Sequence, residues 1–428
     1  MSSKQIEEQL SATGVAQVIA VVAPSRKTPG AARDDFDSGT FKSLAATLLP
    51  KFLDTNRSRN LALLSAGESA GNREGFAGRT RAGETNAVRI YPNLGLMLGT
   101  VDRQGYRSLE SDKRLSAIVA APELSLIRPK QVERAGRERR SWGLSRLAIP
   151  AVWKQDLTGK GVRIGHLDTG VDASHPALED AIHAFAEFDN LGRKTAGAKA
   201  RDSDNHGTHT AGTAVGRMAR GRVIGVAPGA KLVSALVIEG GNIIARVLGG
   251  MDWAIGEGIR VLSLSLGVRG YKEDFLVVIR RLRSLNVLPV VAIGNEGPET
   301  SRSPGNYPES LSVGACARDN TVPLFSSSQR LEKPTRLVPK LVAPGQNVIS
   351  CVPGGGYASM SGTSMATPHV AGLAALLLER YPSATPDQLE NAILGSCVRP
   401  PDMPEDRCGC GVPNGPKALE NLERLIED

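Results

Sequence analysis

Residues 162–167, 232–237, 261–266 and 288–293 are short, mostly apolar runs of strand length, with helical segments at 205–217, 242–256 and 272–285 lying between them. Runs of this kind are buried on both faces of a parallel sheet, and their alternation with helices builds a three-layer α/β domain with right-handed crossovers. In such a sheet a site sits beyond the carboxyl ends of the strands. One pattern thus fixes the fold class of the larger part of the chain and the edge on which its chemistry is to be sought.

A chain of 428 residues leaves room for a second, smaller domain. Ala135-Gly-Arg-Glu-Arg-Arg-Ser141 has neither helical nor strand periodicity and reads as an exposed linker. Ahead of it, residues 15–22 and 88–101 read as strands, 104–119 as a helix and 124–127 as a further strand, while 25–85 reads as loops around a helix near 41–52. The expected division is a small α+β domain over 1–130, a charged linker over 131–141 and the α/β domain over 142–428.

The net charge of +8 raises the question of a nucleic-acid or membrane partner. Residues 1–140 hold 22 Lys and Arg against 15 Asp and Glu, and the rest of the chain 30 against 29. No basic stripe interleaved with aromatics accompanies that excess, so it reads as solvated surface, with no nucleic-acid partner. Met1-Ser-Ser-Lys-Gln-Ile-Glu-Glu lacks a basic region followed by an apolar run of signal-peptide length. The expectation is a cytoplasmic protein, or one exported by a route that no Sec signal peptide encodes. No stretch approaches 18 uninterrupted apolar residues, and no membrane partner is expected. Five unevenly spaced cysteines predict thiols or a single disulfide, not a framework. Neither a fourth zinc ligand near Cys397, Cys408 and Cys410 nor an H-E-x-x-H pair is present, so no metal site is expected.

Three segments carry chemistry: Gly165-His-Leu-Asp-Thr-Gly-Val-Asp172, Asn205-His-Gly-Thr-His-Thr-Ala-Gly212 and Ser361-Gly-Thr-Ser-Met-Ala-Thr-Pro-His-Val-Ala-Gly372. Asp168 follows a strand, His206 opens a helix of small residues, and Ser364 begins a long helix whose first N–H groups are free to bind an anion. Taken singly, each is as readily a turn or cap residue. Together they supply a nucleophile, a base, a carboxylate to fix the base's tautomer and a donor for a developing oxyanion, the set that acyl transfer needs. His166, His209 and His369 read as packed or structural, because one base suffices.

The three segments, in the order Asp, His, Ser, resemble the signature blocks of the subtilisin family, over roughly residues 142–395. Val290-Val-Ala-Ile-Gly-Asn-Glu-Gly297 resembles the family's oxyanion block, and Val342-Ala-Pro-Gly345 and Tyr307-Pro308 also match. The resemblance implies a serine endopeptidase acting through an acyl-enzyme, with Asp168, His206 and Ser364 as triad and Asn295 as side-chain oxyanion donor. It implies that Ser265, Leu266 and Gly267 line one wall of the specificity pocket and Ala292 and Gly294 the other, with Gly240, Gly241 and Asn242 flanking an extended peptide or protein substrate. Arg302 falls near the base of that pocket, where it would favour an acidic side chain, or else lies solvated outside an apolar pocket. The strand–helix–strand pattern ending in Leu124-Ser-Leu-Ile-Arg-Pro-Lys130 resembles the family's propeptides, which implies a self-processing zymogen whose own N-terminal domain is an intramolecular inhibitor. No cofactor is required, and Arg217-Met-Ala-Arg-Gly-Arg222, where relatives carry an Asn-rich loop, leaves at most weak structural calcium. Two other readings stay open: a catalytically silent peptide-binding scaffold, and a permanent partner-binding module at 1–140.

Overall fold

A computed structural model describes residues 2–23, 38–53, 88–241, 243–332 and 335–427. Its centre is a seven-stranded sheet in the order Leu341–Pro344, Leu311–Cys316, Leu288–Ala292, Val261–Leu264, Arg163–Asp168, Lys231–Leu236, Ile182–Glu187. Every neighbouring pair is parallel. Ile164, Leu232, Val261 and Val290 point into one core, and Leu167, Val233, Leu262 and Val291 into the other. Both faces are buried, which is why the runs show no alternation of apolar with polar residues. Helices His206–Val215 and Thr363–Arg380 cover the first face, Ile244–Gly256 and Leu276–Ser284 the second.

The N-terminal part forms a four-stranded antiparallel sheet in the order Arg89–Tyr91, Leu96–Asp102, Val15–Val22, Leu115–Ala120. The run at 88–101 is a hairpin whose turn ends on Gly95 at φ +66°. A single helix over 104–119 is corrected: a helix spans Arg103–Glu110 and a strand Leu115–Ala120. Asp112 sets the break. Its carboxylate receives Lys51 at 2.6 Å and Arg114 at 2.6 Å, pinning a turn from which the β-branched Ile118-Val119 pair with Val15–Val22. The helix near 41–52 is Ser38–Leu48 with a 3-10 turn to Lys51, and helix Ser2–Thr13 had no counterpart in the sequence reading. Most of 25–85 otherwise lies outside the described residues.

The linker at 131–141 is also corrected, because Gln131–Arg134 is a strand paired with Gly356–Ser361. All four of its residues are exposed, so main-chain bonds and a hydrogen bond from the Ser361 hydroxyl to Gln131 Oε1 at 3.2 Å hold it, and no side-chain periodicity announces it. The five cysteines are free thiols, with Cys316, Cys351 and Cys408 buried and Cys410 exposed. No helix among the described residues is long and apolar enough to cross a membrane.

One face of the N-terminal sheet packs under its own helices, through Val18, Phe41, Leu48 and Met97. Ile19, Tyr91, Leu94 and Leu96 on the other face join the core of helices Ile244–Gly256 and Leu276–Ser284. The Tyr91 hydroxyl donates to Ala245 O at 3.1 Å, Arg281 Nε to Leu94 O at 3.2 Å, and Leu94 N to Asp252 Oδ1 at 2.8 Å. Burial pushes the Asp252 carboxyl up to about 7, although Leu94 and Asn93 donate to it. A docked Asp252 therefore holds a proton that a solvated carboxyl would release near its ordinary value, and docking weakens as pH rises from about 4 towards 7. Protection of the Leu94 amide against hydrogen exchange should fall over that range after correction for intrinsic rates. Asp252→Asn, which keeps an acceptor and removes the titration, should flatten the slope; an unchanged slope would show that another group sets it.

Candidate active site

Asp168 is the last residue of its strand and is 2% exposed. Its Oδ1 accepts from Thr169 N at 2.7 Å and from His206 Nδ1 at 2.6 Å, and its Oδ2 accepts from the Thr210 hydroxyl at 3.2 Å. Burial opposes the carboxylate, but the charge and hydrogen bond of His206 outweigh it and hold Asp168 below its ordinary value. Burial likewise opposes a charged His206, and Asp168 reverses the sign, raising the imidazole above its usual range. The Nδ1 hydrogen bond leaves Nε2 as the nitrogen free to accept a proton.

Asp202, which sequence reasoning missed, fixes the two elements relative to each other. Its Oδ1 accepts from the Thr169 hydroxyl at 2.6 Å, on the strand side, and its Oδ2 from Thr208 N at 2.7 Å, in the first turn of the His206 helix. An acid-rich stretch, Asp202-Ser-Asp-Asn205, just ahead of a helix start was the available signal. Gly207 permits the close approach: a Cβ there would lie 2.0 Å from Gly170 O.

Ser364 lies in the first turn of the 18-residue helix Thr363–Arg380, which packs on the His206 helix. His206 Nε2 is buried without a hydrogen-bond partner among the described residues, and the Ser364 hydroxyl instead donates to Ile127 O at 2.7 Å. Asn295 Oδ1 accepts from Thr363 N at 2.9 Å and from the Thr363 hydroxyl at 3.0 Å. That fixes the amide and aims Nδ2 at the cleft, where it donates to Arg128 O at 2.8 Å. Gly294 holds φ +127°, a conformation that favours glycine, and turns the strand end towards Asn295.

The cleft is filled by the protein's own chain. Ser125 pairs with Gly267 and Leu126 with Leu266 in antiparallel register, and Ile127 N donates to Ser265 O at 2.9 Å. Leu124 joins the apolar cluster containing Leu266 and Ile243. Ala292 is buried at the end of its strand, whereas Gly240 and Gly241 are exposed and Asn242 lies outside the described residues. Arg302 is only 7% exposed, so its placement in solvent is corrected. Its Nε and one terminal nitrogen reach Glu296 Oε1 at 3.0 and 2.5 Å, and the other terminal nitrogen donates to the Ser125 hydroxyl at 2.9 Å and Gly267 O at 3.2 Å. Burial raises the Glu296 carboxyl, but Arg302 outweighs it and keeps the group ionised.

A second Asp–His–Ser grouping lies nearby, with His166 Nδ1 3.0 Å from Ser234 Oγ and Nε2 2.9 Å from Thr210 Oγ1 and 3.6 Å from Asp168 Oδ2. His166 and Ser234 are register partners inside the sheet and Ser234 is fully buried, so no peptide can reach them. Burial lowers the His166 imidazole and keeps it neutral. His209 donates to Val348 O and His369 to Met365 O, and burial pushes them down to about 3 and about 4.

The subtilase family model matches residues 159–411. Subtilisin BL of Lederbergia lenta is 38% identical over 253 residues, which cover 58% of this chain and 88% of that protein. M-protease of Shouchella clausii (strain KSM-K16) is 35% identical over 284 residues, 66% of this chain and 70% of that protein. Subtilisin E of Bacillus subtilis (strain 168) is 31% identical over 301 residues, 69% of this chain and 73% of that protein. With the matched region spanning the sheet and every group of the cleft, the chain belongs to the subtilase family and is a serine endopeptidase.

Proposed function

We propose that Ser364 is the nucleophile of this endopeptidase, His206 its general base and acid, Asp168 the carboxylate that orients and stabilises the imidazolium, and Asn295 an oxyanion donor. The observation that carries the reading is the 2.6 Å Asp168–His206 hydrogen bond with the opposite imidazole nitrogen unpaired and the Ser364 hydroxyl in the same cleft. In the open enzyme Ser364 Oγ attacks the carbonyl carbon while its proton passes to His206 Nε2. The tetrahedral oxyanion is held by Asn295 Nδ2 and the Ser364 N–H, and the proton then leaves on the departing amine. Substrate adds as a strand against Ser265–Gly267. Ser364→Ala should abolish turnover and fluorophosphonate labelling. Asn295→Leu should cost roughly 10²–10³ in kcat with little change in KM, the size established for loss of a side-chain oxyanion donor. A large KM effect with kcat intact would reassign Asn295 to ground-state binding.

The N-terminal domain is proposed as the enzyme's own inhibitor. Its sheet rests on two helices of the catalytic domain, and its last strand occupies the substrate's place along Leu266–Gly267.

For the pocket, the pairing of Arg302 with Glu296 supports apolar selection over acidic, because the guanidinium has no charge left to offer. Ile127, 1% exposed beside Ser265, is the side chain presented there. Arg302→Ala would leave the Glu296 carboxylate with only the exposed Arg269, 3.8 Å away, and free to recruit a base from substrate. In a fluorogenic library varied before the scissile bond, the Arg/Leu ratio of kcat/KM should rise roughly tenfold to a hundredfold in the variant, the worth of a charged hydrogen bond. An unchanged ratio would place Arg302 outside substrate selection.

Calcium is proposed to be dispensable at the Arg-rich loop. Arg217 donates to Asp180 O at 3.0 Å, Arg220 to Gly355 O at 2.9 Å, and Arg222 to Glu138 O at 2.8 Å and Gly136 O at 2.6 Å. The guanidinium groups thus gather carbonyls as a bound cation would and repel one. EDTA should leave the melting temperature unchanged; a drop reversed by calcium alone would overturn this.

A further inference from the structure

His166 takes no part in the steps above, yet an imidazole inside a buried strand is costly unless both of its ring nitrogens are satisfied. Two other elements supply the partners. His166 and Asp168 stand two residues apart on one strand, so their side chains leave the same face. His206 and Thr210 stand four apart on one helix and share a face as well. The two pairs meet where strand and helix pack, and Ser234, the register partner of His166 on the neighbouring strand, closes the far side. His166, Thr210 and Ser234 are each at most 2% exposed.

Burial fixes the direction of the hydrogens in this group. His166 is the only hydrogen-bond partner of the Ser234 hydroxyl among the described residues, with Nδ1 3.0 Å from Ser234 Oγ. If Nδ1 carried the ring proton, the hydroxyl would accept it and leave its own hydrogen buried without an acceptor. The Ser234 hydroxyl therefore donates to Nδ1, and the neutral ring carries its proton on Nε2. Nε2–H then donates to Thr210 Oγ1 at 2.9 Å. The Thr210 hydroxyl has three acceptors in reach, Gly207 O at 3.1 Å, His206 O at 3.2 Å and Asp168 Oδ2 at 3.2 Å, and only the carboxylate is charged. Ser234, His166 and Thr210 thus form a relay that ends on Asp168 Oδ2, while His206 is bound to Oδ1.

We propose that His166 is a positioning residue for the catalytic base: acting through Thr210, it fixes a donor on Asp168 Oδ2 and so limits how firmly the carboxylate holds the His206 imidazolium. The proposal rests on the role given above to His206. A donor on Oδ2 draws carboxylate charge away from Oδ1, and each hydrogen bond in the relay strengthens the next. With the relay broken, the imidazolium is better stabilised and His206 keeps its proton to higher pH. The base that Ser364 needs is then blocked over more of the acid range. The other groups facing His206 do not reverse this sign. Asp202 and Asp204, ahead of its helix, also favour the imidazolium, and Arg128 on the docked strand pairs with Asp204. His209, one turn along the helix, and His369 beyond it on the Ser364 helix are held neutral by burial.

Histidine-selective 13C and 15N labelling of the full chain, carrying Ser364→Ala to keep it whole, reads the relay without turnover. His166 should show the neutral Nε2–H tautomer throughout the titration of His206. His166→Leu and Thr210→Val should each raise the His206 midpoint by roughly half to one pH unit, part of the worth of a hydrogen bond to a charged group. The two together should do no more than Thr210→Val alone, because they break one relay. His166→Gln, whose amide can donate from the place of Nε2, should restore the wild-type midpoint. In chains that keep Ser364, the acid limb of fluorophosphonate labelling should move with the midpoint. An Nδ1–H ring at His166, or a midpoint unmoved in folded His166→Leu and Thr210→Val, would overturn the proposal and leave the catalytic roles standing. Should His166→Leu not fold, Thr210→Val beside Thr210→Ser decides, since only the first removes the hydroxyl, and equal midpoints would overturn the proposal. Labelling of Ser364 that persists unchanged in His206→Ala would overturn the role of His206 and this proposal together.

Discussion

A carboxylate excluded from water is tolerated only where its lone pairs are filled, and Asp168 organises the molecule around that requirement. Its oxygens take the Thr169 amide, the Thr210 hydroxyl and the His206 imidazole, so the strand end, the next loop and the following helix must all converge on one residue. Asp202 repeats the logic a layer out by tying Thr169 to Thr208. Each bond that satisfies the buried charge also removes a degree of freedom from His206. The orientation that general-base chemistry needs is thus a by-product of solvating an ion with protein atoms.

The same economy joins the two domains. The N-terminal sheet is apolar on both faces and completes its burial only by resting on helices Ile244–Gly256 and Leu276–Ser284. Those helices lie on the face of the central sheet away from the Ser364 helix, so the sheet docks apart from the catalytic helices while feeding Leu124–Ile127 into the cleft. The contact also covers much of Asp252, a carboxyl with two amide donors and no cationic partner among the described residues, and desolvation prevails over those donors.

The parts legible in the sequence were those with buried side chains. Strands packed on both faces and the helix opened by Gly362-Thr-Ser364 declare themselves by composition, and their ends fell within a residue or two of the readings. Gln131–Arg134 did not, because a strand that buries none of its side chains leaves no apolar pattern in residue choice. The segment 104–119 misled because Tyr106 and Leu109 keep helical spacing up to a turn that Asp112 fixes through Lys51, 61 residues away in another element. Arg302 misled for the opposite reason. Its position in the pocket was readable, but whether its guanidinium is open to a ligand depends on Glu296, which the intervening loop brings back onto it.

Strand addition explains how one groove can serve both a substrate and the chain's own segment. Its affinity comes from main-chain groups that every peptide carries, so the ladder along Ser265–Gly267 cannot by itself tell Leu124–Ile127 from a foreign sequence. Discrimination must come from side-chain contacts such as Leu124 in its apolar cluster.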